Sequence, residues 1–203
     1  MNTELTRPVI RPVARRINGL NLDALDETVV ALRERPEAGQ FRFRVENTWL
    51  GGGHTRTRIH RFYGACEDRA HEKAFVIESD LPPVALGTDR GPEPAEYLLA
   101  ALAACLTTSI AYLSAQRGIR IDEMQAELMG DIDFRGFLGV SKQARPGYRA
   151  LDVTLKIESD ASERELNELL RDAQENSSVL DMLVNPVPVR IEAERSQPRG
   201  ERK

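Results

Sequence analysis

A run of nineteen residues without a charge, Tyr97 to Ala115, most constrains what this 203-residue chain can fold into. Wound as a helix, the run is apolar on every side, so it must be sealed in a protein core or in a bilayer. Six alanines and the polar Thr107, Thr108, Ser109 and Ser114 dilute its five leucines and one isoleucine. The insertion free energy summed over such a segment is near zero or above, which favours the buried helix of a soluble domain. Pro94 suits its first turn, and Glu93 and Glu96 complement the positive helix end. Gly118 marks its stop, with Arg117 against the C-terminal dipole. Cys105 stands in the middle of the run.

The chain is long enough for one domain with a substantial core around that helix. A net charge of -4 and a pI near 5.6 exclude a general nucleic-acid binder, which needs a basic face. Arginines 7, 11, 15 and 16, spaced by Pro8 and Pro12, read as a solvated, flexible N-terminal arm. Two cysteines, Cys66 and Cys105, make no disulfide framework, so a reducing cytoplasm is the expected compartment. The first twenty residues lack the apolar stretch of a signal peptide.

Periodicity supplies the other elements. Leu22, Leu25, Val29 and Leu32 recur at helical spacing and predict an amphipathic accessory helix ended by Pro36 and Gly39. Phe41, Phe43 and Val45 alternate with charged residues, as in a half-buried strand. A turn at Gly51-Gly52-Gly53, a strand from His54 to Tyr63 and a third through Ala74–Ile77 follow. Beyond the central helix come strands from Ile119 to about Asp133 and from Arg149 to Glu158, joined by a long loop. Ser162 and Glu165 form a capping box that opens a helix carrying Leu166, Leu169, Leu170 and Ala173. Val187 to Ile191 reads as a last strand, placed at an edge by its prolines. The fold class is therefore α+β, in the order β-β-β-α-β-β-α-β after the accessory helix.

Several side chains could carry chemistry. A thiol in an alanine-rich helix is either a small buried hydrophobe or a sheltered nucleophile. Cys105 lies too deep in its helix for that helix's N-terminus to activate it, so a cation such as Arg56 or His54 is expected nearby. Thr108, Ser109 and Tyr112, on the neighbouring face, could hydrogen-bond a thiolate or a bound polar group. Cys66 falls in a predicted hairpin turn. His54, His60 and His71 show no metal-ligand spacing with the cysteines. The glycines at 51–53 are not followed by a phosphate-loop lysine. Arg135, Arg145 and Arg149 read as solvating the long loop.

Gly91-Pro-Glu-Pro-Ala-Glu-Tyr-Leu-Leu-Ala-Ala-Leu-Ala-Ala-Cys-Leu-Thr107, followed by Gly118-Ile-Arg-Ile121, resembles the active-cysteine helix of OsmC-like proteins. That family includes the organic hydroperoxide resistance proteins. Ser177-Ser-Val-Leu-Asp-Met-Leu183 and Pro186-Val-Pro-Val189 extend the likeness, which runs in element order from Phe41 to Ile191. It implies an OsmC-like domain over 41–193, with an N-terminal arm and helix over 1–40 and a disordered tail over 194–203. It also implies a homodimer in which sheets from both chains wrap around paired central helices.

The chemistry implied by the resemblance uses a peroxidatic cysteine, a resolving cysteine, an arginine and a glutamate in the response to oxidative stress. The peroxidatic position corresponds to Cys105, and the resolving position to Ser177, which cannot form a disulfide. The glutamate position holds Ala95. Neighbouring Glu96, nine residues before Cys105, falls about half a turn from the sulfur at ~100° per residue. Arg56 is preferred over Arg58 as the cation. The resemblance thus implies a single-cysteine branch: a thiol peroxidase acting on organic hydroperoxides with an external thiol as reductant. The alternative is a non-catalytic homodimeric binder of a hydrophobic or acyl ligand, with Glu96, Ser177, Thr108 and Tyr112 at the site. No cofactor, metal, nucleic acid or membrane is expected as a partner.

Overall fold

The computed structural model describes residues 14–195. Arg7, Arg11 and most of the predicted tail lie outside them. Two short strands, β1 (Arg16–Ile17) and β2 (Leu20–Asn21), form a hairpin over Asn18 and Gly19. Both turn residues have positive φ, 51° and 79°, which asparagine and glycine tolerate best. This part of the predicted flexible arm is therefore ordered. Arg15 meets Asp23 at 2.7 Å and Asp26 at 2.8 Å.

The predicted accessory helix is α1 (Leu22–Glu34), capped by Asn21, whose side chain accepts from the Asp23 and Ala24 amides. A 3-10 turn at Pro36–Gly39 ends it. The meander β3 (Arg42–Gly51), β4 (His54–Gly64) and β5 (Glu67–Ser79) follows as one antiparallel sheet. Its register puts Val45, Ile59 and Phe75 abreast on one face, and Glu46, Arg58 and Val76 abreast on the other. The first face continues into a cluster of Phe41, Phe43, Phe62, His71 and Phe75, with successive ring centroids 5.1–6.0 Å apart.

Among the described residues nothing covers that aromatic face: Phe43 is 74% exposed and Trp49 71%. The half-buried strand expected at Phe41–Val45 is thus uncovered here, because the sheet hangs off the rest of the molecule instead of packing on it. The connection runs through the Asp80–Glu93 loop, where Ser79 Oγ donates to the Pro92 carbonyl at 3.0 Å and the Tyr97 hydroxyl donates to the Glu78 carbonyl.

The central helix is α2 (Pro94–Gln116), opened by a capping box between Glu93 and Glu96. Antiparallel β6 (Ile121–Gly130) and β7 (Leu151–Ser159) form the second sheet, with a one-turn helix α3 (Phe134–Phe137) in the loop between them. Then come α4 (Glu163–Glu175), with the predicted Ser162–Glu165 capping box, and α5 (Ser178–Val184). The core forms where α2 meets β6, α4 and α5. Ile110, Leu169 and Ala173 are fully buried there, against Leu113, Met124, Leu155 and Leu166.

Two expectations need correction. Burial of α2 on all sides does not hold within one chain. Leu102, Leu106, Ile110, Ser114 and Ala115 are buried, while Ala100, Ala104, Thr108 and Tyr112 form an exposed strip one helical turn apart. By length and composition α2 could cross a membrane; one face of it, at Leu102, Leu106 and Ile110, is buried in this chain's own core. Secondly, Val187–Ile191 forms no strand. Pro186 and Pro188 lack amide donors, and among the described residues no strand lies beside the segment.

Candidate active site around Cys105

Cys105 sits on the flank of α2 where that helix meets the start of α5. The chain leaves α4 at Asn176, turns, and re-enters a helix with Ser177 as N-cap, whose hydroxyl oxygen accepts from the Leu180 amide at 3.3 Å. The same hydroxyl donates to Cys105 Sγ at 3.2 Å, and Ser178 Oγ lies 3.6 Å from the sulfur. Ser177 is fully buried, whereas Cys105 is half-buried.

Burial pushes the Cys105 thiol up, because a thiolate loses hydration. Hydrogen bonds from the Ser177 hydroxyl, the Val179 amide and the Ser178 hydroxyl and amide outweigh that effect, so the thiol lies below its ordinary value. Among the described residues the activating group is thus the opening turn of α5. Ser177 followed by Val179, Leu180 and Leu183 is a legible N-cap before an apolar run, the signal that points to Ser178 and Val179.

The other expected residues are spread around the molecule. Arg56 Nε binds Glu78 Oε1 at 2.7 Å, and His54 Nε2 meets Glu78 Oε2 at 2.5 Å. These bonds, with that of Arg56 leading, hold the Glu78 carboxyl below the usual carboxylate range. This trio occupies the polar face of the first sheet, away from the aromatic one. Glu96 spends its carboxylate on its own helix, accepting from the Glu93 amide at 2.8 Å. Thr108 and Tyr112 lie on the exposed strip of α2, and Tyr112 is 45% exposed. Cys66 occupies the β4–β5 turn beside Ala65, both at positive φ, and is a free, exposed thiol.

One helical turn before Cys105, along Leu98 and Leu102 of α2, the molecule is concave, and Cys105 itself does not line the hollow. A cavity of about 410 Å³ opens between α2, β7 and α5, lined by Leu98, Leu102, Val153, Leu180 and Leu183, with Arg145, Tyr148 and Arg149 from the long loop. A second, of about 330 Å³, shares Val153 and Leu180 and continues past Leu106 and Ile110. Arg135 and Arg149 anchor the loop through Asp133, whose carboxyl Arg135 holds at about 2. Burial raises the Tyr148 hydroxyl, and Glu93 and Glu96 raise it further, which places the loop beside the start of α2. Arg145 and Arg149, expected only to solvate the loop, therefore border an apolar cavity.

Comparison with known proteins gives a consistent picture. The family model described as OsmC-like protein matches residues 87–192, just over half of the chain. An OsmC like protein from Mycoplasma pneumoniae is similar in structure, with a TM-score of 0.56 at 16% identity over 71% of this chain and 89% of that one. An organic hydroperoxide resistance protein OsmC from Legionella pneumophila has a TM-score of 0.50 at 12% identity, over 70% of this chain and 90% of that one. At such identities the likeness is one of fold. Comparison with curated protein sequences gives no match.

Proposed function

The chain belongs to the OsmC-like protein family, and from that premise we propose a homodimeric, cytoplasmic stress-response protein that reduces organic hydroperoxides through Cys105 as a one-cysteine thiol peroxidase. One observation supports the reading: a half-buried thiol held below its ordinary pKa by the opening turn of α5. The Cys105 thiolate attacks the peroxide, the O–O bond breaks, and the alkoxide takes a proton and leaves as an alcohol. The sulfur becomes a sulfenic acid. Ser177 has no sulfur with which to close a disulfide. An external low-molecular-weight thiol therefore displaces the sulfenic oxygen as water, and a second such thiol frees Cys105 from the mixed disulfide.

Consumption of cumene hydroperoxide in the presence of 2-mercaptoethanol tests this, with Cys105→Ser as control. Turnover confined to the wild type is the expected result; equal rates in both proteins end the proposal.

The homodimer draws support from three unpaired features of one chain: the aromatic sheet face, the exposed strip of α2 and the apolar Val187–Ile191 segment. Each is a surface that a second copy would cover.

The arginine-bordered cavity favours a second reading, a non-catalytic binder of an acyl ligand, with its chain along Leu98, Leu102 and Leu180 and its carboxylate towards Arg145. Native mass spectrometry of the purified protein tests it. A copurifying fatty acid, retained in Cys105→Ser, supports binding without turnover, and a ligand-free protein that turns over hydroperoxide dismisses it.

A further inference from the structure

The β3–β4 ladder shifts register twice, between Phe43 and Val45 and between Trp49 and Gly51, and the first shift lies beside a cavity on the polar face of the sheet. Phe43 pairs with Phe62 and Val45 with Ile59, so Arg44 alone stands opposite both His60 and Arg61. This is a β-bulge, which re-aims consecutive side chains. The β4–β5 ladder slips at the same point, between Ile59 and Arg61. The two irregularities open a cavity of about 390 Å³ lined by Arg44, Glu46, Arg58, His60 and Arg61.

The charge in this cavity is poorly compensated. Among the described residues Arg44 and Arg61 have no ion-pair partner, and Arg58 reaches only Glu46, at 4.0 Å, with that carboxylate 82% exposed. Glu78 is already shared by Arg56 and His54, and among the described residues Glu72, which alternation from Ala70 opposite Arg61 puts on the same face, pairs with none of the three arginines. Three guanidinium groups face one carboxylate, an excess of two positive charges. His60 Nδ1 is buried and has no hydrogen-bond partner. Guanidinium forks lining one cavity suit a tetrahedral oxyanion.

We propose that this bulge cavity is a binding site for a small, soluble phosphate monoester, with the phosphoryl dianion on Arg44, Arg58 and Arg61 and the His60 ring in the cavity wall. The site is independent of Cys105 chemistry and stands whether or not the protein is a peroxidase. The recess, of about 390 Å³, limits the ligand to a small molecule.

The test is titration of the full-length protein with glycerol phosphate, followed by NMR of the His60 ring and of the β3–β4 amides at physiological ionic strength. Saturable shifts confined to this cavity are expected. Arg44→Gln with Arg58→Gln should weaken binding about ten-fold or more, as loss of two charge-assisted contacts implies. Arg33→Gln with Arg164→Gln, the same loss of charge on α1 and α4, should leave it unchanged. Unsaturable shifts, equal weakening by both pairs, or binding to phosphatidic-acid vesicles without binding of the free ester would each overturn the proposal. Should the first pair of substitutions unfold the protein, the His60 ring shifts in the wild type decide alone.

Discussion

The Ser177 hydroxyl donates to the Cys105 sulfur at 3.2 Å while its oxygen accepts from the Leu180 amide at 3.3 Å. One buried serine therefore caps α5 and holds the thiol against α5's first amides. Ser177→Ala removes one hydrogen bond to the thiolate and the cap together. At about 1 kcal/mol for the thiolate bond, the thiolate fraction near neutrality should fall about five-fold. Iodoacetamide labelling of Cys105 between pH 6 and 9 reads this directly; an unchanged pH profile would show that Ser177 does not tune the sulfur.

Ser177→Cys places a second thiol where the hydroxyl now touches the sulfur. After one equivalent of hydroperoxide the variant should form an intramolecular disulfide by condensation with the sulfenic acid, with loss of water. Intact-mass measurement should show a loss of two hydrogens relative to the reduced variant, where the wild type gains one oxygen. A stable sulfenic acid in the variant would mean that the two sulfurs cannot approach.

Asp80 gives a pH dependence of known sign. Its fully buried carboxylate accepts from Thr88 Oγ1 at 2.6 Å and from the Leu81 and Thr88 amides at 2.8 and 3.0 Å. The Thr88 bond leads in holding its pKa down at about 2. In the unfolded chain the value is roughly 3.9. A folded-state pKa below the unfolded one stabilises fully above about pH 4, and that contribution is lost as pH falls towards 2. Asp80→Asn should lower the urea midpoint at pH 7 and narrow its deficit from wild type by pH 3. A deficit that stays constant with pH would contradict the assignment.

Asn18 ties the N-terminal hairpin to the far end of α2. Its Nδ2 donates to Ser114 Oγ at 2.9 Å and to the Ile119 carbonyl at 3.0 Å, and its Oδ1 accepts from the Ile121 amide at 2.9 Å. Asn18→Ala breaks all three and puts alanine at positive φ, at a cost of about 2–4 kcal/mol. Urea unfolding measures the loss, and faster exchange of the Ile121 amide localises it. A change below about 0.5 kcal/mol would make the hairpin a mere appendage.

Legibility followed the range of the interaction. The Glu93–Glu96 and Ser162–Glu165 capping boxes, the α2 stop at Gly118 and the alternation of β7 depend on neighbours a few residues away, and all can be read from the sequence. Asn18 bonding to Ile121 depends on residues 103 positions apart, and no local pattern announces it. At the site, Ser177 lies within hydrogen-bond distance of Cys105, but the source of activation is tertiary. Whether a cation or a helix start faces a thiol is decided by how α5 folds back on α2. The edge strand at Val187–Ile191 and the cover over Phe43 failed for another reason: apolar alternation shows that a face is to be buried, not which chain buries it.

That last point yields the sharpest test of assembly. Phe43 is 74% exposed in one chain and stacks on Phe41, its ring 6.0 Å from that of Phe62. In an isolated monomer Phe43→Glu would exchange one exposed side chain for another and cost little, within about 0.5 kcal/mol. In a dimer whose second copy covers the aromatic face, the substitution buries a charge in an apolar contact and should drive dissociation. Light scattering at micromolar concentration should give twice the 22.7 kDa chain mass for the wild type and the single mass for the variant. A wild type that scatters as 22.7 kDa would leave the aromatic face uncovered in solution, and the homodimer would fall.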